Sequence, residues 1–158
     1  MGAGVGDAMF SGALREVMRA KGVSIEDALV LRPFPQVGAP DQLPALWEAY
    51  RQEIISQSGI ALFLFGNKEK DGKTVTADGL MREFEIARQQ GISILPIGAT
   101  GSAAKTLADQ VVTDPDQYTP ELDTSGRTQL ASLAVHNDDL MSLIPQIVAV
   151  IRKLQGKA

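Results

Sequence analysis

Phe63-Leu64-Phe65-Gly66-Asn67-Lys68, running on to Met81-Arg82-Glu83-Phe84-Glu85, decides the fold. The apolar run over residues 59–65 reads as a buried strand that opens into a Gly-Asn-Lys turn, with an amphipathic helix expected from about Asp78. In an open α/β sheet, ligands bind just outside the carboxyl ends of the strands, where loops meet helix N-termini. Gly66 lets the backbone approach a ligand closely, Lys68 offers a cation, and Glu83 can accept hydrogen bonds from paired hydroxyls. That set suits a ligand with both phosphates and ribose. It reads as a nucleotide site.

Outward from this stretch, helix and strand signals alternate. Met9, Phe10, Leu14, Val17 and Met18 fall at helical spacing, and Gly22 stops that helix. Residues 28–31 predict a short apolar strand ending at Arg32-Pro33-Phe34-Pro35, where proline forbids continuation. A second helix is expected over residues 43–58, and the third over 78–90. On the C-terminal side, residues 92–97 predict a strand that runs into Gly98-Ala99-Thr100-Gly101, followed by a helix over 102–111. Residues 113–127 are polar, with two prolines and one glycine, and read as a surface loop. An amphipathic helix over 140–154 closes the chain, with Pro145 in its first turns and Leu140, Ile144, Ile147 and Ile151 facing the sheet or a second subunit, core packing being the favoured reading. This alternation predicts an α/β class protein, a Rossmann-like parallel sheet flanked by helices and joined by right-handed crossovers.

Composition narrows the function. With 158 residues the chain fits a single domain over 1–158, and 44% apolar and 22% charged residues are ordinary for a globular protein. A net charge of −4 without a basic stripe argues against nucleic-acid and anionic-membrane partners. The absence of cysteine removes thiolate nucleophiles and zinc–cysteine sites, and the single His136 leaves no histidine metal cluster, so no metal is expected. There is no signal-peptide pattern and no membrane-length apolar run, so the expected location is the cytoplasm.

The candidate residues also have plainer readings. Gly2, Gly4 and Gly6 precede a helix at alternate positions, where backbone N–H groups could meet a phosphate. The spacing departs from a dinucleotide fingerprint and no strand precedes it, so chance glycines in an irregular N-terminus are an equal alternative. Arg51 is either a solvated helix residue or a planar fork for phosphate. Lys68, near Lys70 and Lys73, fits a charged hairpin as well as a ligand contact. Glu83 and Glu85 are two apart on a helix and face different sides. Arg32 ends a strand or meets a ligand, Thr100 caps a helix or lines a pocket, and His136 suits a surface position. The functional reading rests on three successive strands ending in Arg-Pro-Phe-Pro, Gly-Asn-Lys and Gly-Ala-Thr-Gly.

Gly4-Val5-Gly6-Asp7-Ala8, Ser11-Gly12-Ala13-Leu14, Leu31-Arg32-Pro33-Phe34-Pro35, Phe65-Gly66-Asn67-Lys68, Glu83-Phe84-Glu85-Ile86-Ala87 and Pro96-Ile97-Gly98-Ala99-Thr100-Gly101 occur in that order. The chain thereby resembles the SLOG superfamily, and within it the sensor domains of Thoeris-type anti-phage effectors. The resemblance implies a SLOG-type Rossmann-like domain lacking its first strand and helix. It implies binding of a cyclic ADP-ribose isomer made by a TIR-domain partner, within a homo-oligomer, to regulate an associated sirtuin-like NAD-degrading domain. That domain is outside this chain, so the chain itself is expected to be no enzyme and to hold no cofactor. Carried over by motif position, Arg51, Lys68 and Glu83 are the main ligand contacts. Gly66, Asn67, Gly98 and Thr100 line the pocket, with Arg32, Gly4 and Gly6 as further contacts. The alternative is a nucleotide phosphoribohydrolase of the same superfamily acting on nucleoside monophosphates, with Glu83 at an oxocarbenium-like centre. Its Pro-Gly-Gly-x-Gly-Thr loop is not matched here.

Overall fold

The computed structural model describes residues 3–30, 32–35 and 37–156. It resolves into two compact units, Met1–Trp47 and Glu48–Ala158.

In the first unit, helix α1 spans Ala3–Arg19 and α2 is a single turn, Ile25–Ala28. Helix α3, Leu43–Ser56, begins here, and the Trp47 indole N–H donates to Pro35 O at 2.7 Å. Two expectations are corrected. Gly4 and Gly6 lie inside α1 rather than in a Gly-rich turn, because an established helix extends at the gain of one hydrogen bond per residue. The strand expected over 28–31 does not form among the described residues. Residues 25–28 wind into α2, and this unit contains no described strand with which Leu29 and Val30 could pair. Leu31 lies outside the described residues.

In the second unit, β1 is Ile60–Phe63, β2 Asn67–Lys70 and β3 Lys73–Thr76. Helix α4 is Asp78–Gln89, β4 Ser93–Pro96, α5 Ser102–Thr113 and α6 Pro115–Tyr118. Helix α7 is Thr124–Leu133 and α8 Ile144–Leu154, the latter entered through a 3-10 turn, Leu140–Leu143. Strands β1 and β4 pair in parallel, Ile60 opposite Ser93 through Phe63 opposite Pro96. Helices flank this pair, the mixed α/β arrangement expected of a Rossmann-like fold. Strand β4 is buried at every position, its apolar residues in the core and the Ser93 hydroxyl donating to Glu121 at 3.1 Å. Ile94, Leu95 and Ile97 meet Ile86 of α4, Leu107 and Val111 of α5, Leu130 and Leu133 of α7 and Val150 of α8 in one core. Phe84 links Phe63 and Tyr118, with ring centroids 5.8 and 5.4 Å away.

The loop expected over 113–127 is also corrected. Pro115 starts α6, a position that a residue without an N–H suits. The carboxylate of Asp123 accepts the Gly126 N–H at 2.6 Å and caps α7. Tyr118 and Leu122 are buried, so this polar segment is held down by two side chains that belong to the core. On α8, Ile147 and Ile151 pack against the core as expected, whereas Ile144 stays 45% exposed. Among the described residues, no helix is long and apolar enough to cross a membrane.

Candidate functional site

The carboxyl ends of β1 and β4 are tied together by one hydroxyl. Thr100 Oγ1 accepts the Phe65 N–H at 2.8 Å and donates to Ile97 O at 2.7 Å. Phe65 O in turn accepts from Ala104 N–H of α5 at 2.9 Å. Phe65 and Gly66 both have positive φ, 55° and 92°. A Cβ on Gly66 would lie 2.7 Å from Ala103 Cβ and 3.0 Å from Leu80 Cδ1, so only glycine fits between α4 and α5. This bend sends the chain into the β2–β3 hairpin, which turns at Asp71-Gly72 with both φ positive, the signature of a tight hairpin turn. The chain returns at Ala77, whose N–H donates to Gly66 O at 2.9 Å.

Charged side chains from three elements gather around the first turns of α4. Arg51 of α3 lies over Gly79, where an added Cβ would sit 2.8 Å from its Nη2. Its Nε is 3.4 Å from Glu83 Oε1, and its side chain is only 15% exposed. Burial pushes the Glu83 carboxyl above the usual carboxylate range, against the opposing pull of Arg51. Lys68 of β2 reaches Asp78 at 2.6 Å, and that hydrogen bond holds the Asp78 carboxyl below its ordinary value. Arg82 grips Glu48 of α3 through both oxygens, Nε at 3.1 and 3.0 Å and Nη2 at 2.5 Å. That fork draws Glu48 down to about 2. Glu85 turns away and pairs with Arg88 at 2.5 Å. The two glutamates thus face different sides, as their spacing predicts.

Of the expected site residues, Arg51, Lys68, Glu83 and Gly66 converge around α4. Asn67 is exposed at the start of β2, opposite Thr76. Thr100 forms the strut just described. Gly98 is buried, and its missing side chain accommodates Ala108 Cβ and the backbone of Ala134 at 2.7 and 2.9 Å. Arg32, Gly4 and Gly6 belong to the first unit. His136 pairs with Asp138 at 3.0 Å on the surface. Among the described residues, no three His, Cys, Asp or Glu side chains could hold a metal ion. Asp78 and Gly79 were missed by sequence reasoning. The one available signal was a glycine in the first turn of a helix that needs no bend there, which points to something lying close against it.

This arrangement offers two cations and a half-buried carboxylate beside a glycine bend at the strand ends. The profile of the Sir2- and TIR-associating SLOG family matches residues 1–154. An NAD(+) hydrolase ThsA from Cytobacillus dafuensis is 40% identical over 157 residues, covering 98% of this chain and 31% of that protein. The protein of the same name from Acinetobacter baumannii (strain 532279) is 38% identical over 159 residues, 96% of this chain and 33% of that one. For Bacillus cereus (strain MSX-D12) the identity is 33% over 153 residues, 95% and 32%. The chain therefore spans about a third of the length of these relatives. By a match that runs nearly end to end, the chain belongs to the Sir2- and TIR-associating SLOG family.

Proposed function

We propose that this chain is the sensor domain of a Thoeris-type anti-phage effector and binds a cyclic ADP-ribose isomer made by a TIR-domain partner protein. The observation that carries the reading is the convergence of Arg51, Lys68 and Glu83 on the first turns of α4, beside the Gly66 bend. Arg51 and Lys68 neutralise the ligand's pyrophosphate, and Glu83 accepts hydrogen bonds from ribose hydroxyls. The Gly66 bend, packed against Ala103 and Leu80, sets where the chain leaves the strand end toward Lys68. In this reading the NAD cleavage named for the relatives belongs to the two thirds of their length outside this match, and ligand binding here regulates it. The setting is a cytoplasmic homo-oligomer, with no cofactor in this chain.

Calorimetry of the purified chain against cyclic ADP-ribose isomers, with ADP-ribose, NAD and AMP alongside, tests the proposal. Selective binding of one cyclic isomer without turnover, lost in Lys68→Ala and Glu83→Ala, is the expected result. Base release from AMP that Glu83→Gln abolishes would replace the sensor by a phosphoribohydrolase. Indifference of a folded chain to every nucleotide would refute both.

A further inference from the structure

The first turn of α4 carries an acid that this ligand reading does not use. Asp78 opens the helix, and its Oδ2 lies 2.6 Å from Lys68 Nζ, with the two side chains 85% and 38% exposed. Lys68 sits on a hairpin that leaves the body at Gly66 and returns at Ala77. Within residues 67–76, Lys68 and its cross-strand partner Val75 are the two half-buried positions. A two-stranded hairpin alone is marginally stable, so its position depends on such anchors.

We infer that Asp78 is a competing anion built into the site: it holds Lys68, and with it the β2–β3 hairpin, until a ligand phosphate displaces it. The inference rests on the reading of Lys68 as a phosphate contact. The energetics favour exchange at this pair. An exposed ion pair in high dielectric is weak, and a pyrophosphate offers Lys68 more negative charge than one carboxylate does. The Arg51–Glu83 pair is different, with Arg51 15% exposed and pinned over Gly79, so it remains in place as the fixed half of the site. Asp78 thereby selects by charge. A nucleoside or a weakly anionic ligand gains too little at Lys68 to offset the loss of this pair, whereas a pyrophosphate more than offsets it.

Two measurements on Asp78→Asn and Lys68→Met test this. Hydrogen exchange without ligand is expected to quicken at the hairpin amides, residues 67–76, in both variants, since each breaks the anchor. Calorimetry with the cyclic ADP-ribose panel and with inorganic pyrophosphate is expected to separate them. Asp78→Asn should bind about two- to fivefold tighter, the equivalent of one exposed ion pair, and Lys68→Met more weakly than wild type. Unchanged hairpin exchange in Asp78→Asn overturns the anchor. Weaker ligand binding by Asp78→Asn overturns the competition and makes Asp78 a ligand contact instead. If the wild type binds none of these probes, the sensor reading falls, while hairpin exchange still decides whether Asp78 holds Lys68.

Discussion

Arg51 rests against the bare backbone of Gly79, with its Nη2 2.8 Å from where a Cβ would stand. The contact joins α3 to the first turn of α4 and sets where the guanidinium points. A methyl group there pushes away only the far end of a flexible side chain. Gly79→Ala is therefore expected to leave stability within about 1 kcal/mol of wild type, since alanine is the better helix former. Ligand affinity is expected to fall about tenfold, because the displaced fork no longer meets phosphate squarely. Thermal melts beside calorimetry check the split, and a parallel loss of both would show that Gly79 serves packing alone.

Gly66 makes the opposite prediction. Its φ of 92° and the 2.7 Å approach of Ala103 Cβ, which is fixed to a helix backbone, leave a methyl group nowhere to go. Gly66→Ala is expected to destabilise the fold by roughly 2–4 kcal/mol, measured by urea unfolding. A cost under about 0.5 kcal/mol would mean the bend relaxes freely.

Thr100 is expected to matter through its hydroxyl. Thr100→Val keeps the shape but leaves the half-buried Phe65 N–H without its 2.8 Å acceptor. The expected cost is about 1–3 kcal/mol, with Thr100→Ser restoring most of it. Equal stability of the valine and serine variants would show that the strut between β1 and β4 carries no weight.

Acid should weaken the fold through Glu48. Its folded-state value of about 2 lies below the ordinary 4.5, so the unfolded chain binds the proton more readily. The stabilisation is full above the ordinary value and is lost as pH falls through the window from 4.5 to about 2. Urea midpoints across that window should fall for the wild type and fall less steeply for Glu48→Gln. Asp78, Glu85 and Asp123 are also lowered, so a residual slope remains in the variant. An identical slope in both proteins would remove the Arg82 fork from the account of acid stability.

The central strands and α4 were legible along the chain because each carries its own signal. Residues 60–63 and 94–97 are short apolar runs between turn signals, the second buried throughout, and α4 repeats apolar side chains at helical spacing. Segments that depend on a distant partner were not legible. The strand expected over 28–31 had the right residues and found no described strand to pair with. Helix α7 hid in a polar stretch because its buried face is little more than Leu130 and Leu133. The sequence by itself determined the layered α/β class, the glycine bend after β1 and the charge types near the site, all of which follow from local pattern and composition. Tertiary structure alone decided that Lys68 meets Asp78, that Arg51 lies over Gly79 and that the Thr100 hydroxyl ties the two strand ends together. Those contacts join residues from separate elements, and only the packing of α3 and the hairpin against α4, and of β1 beside β4, brings them together.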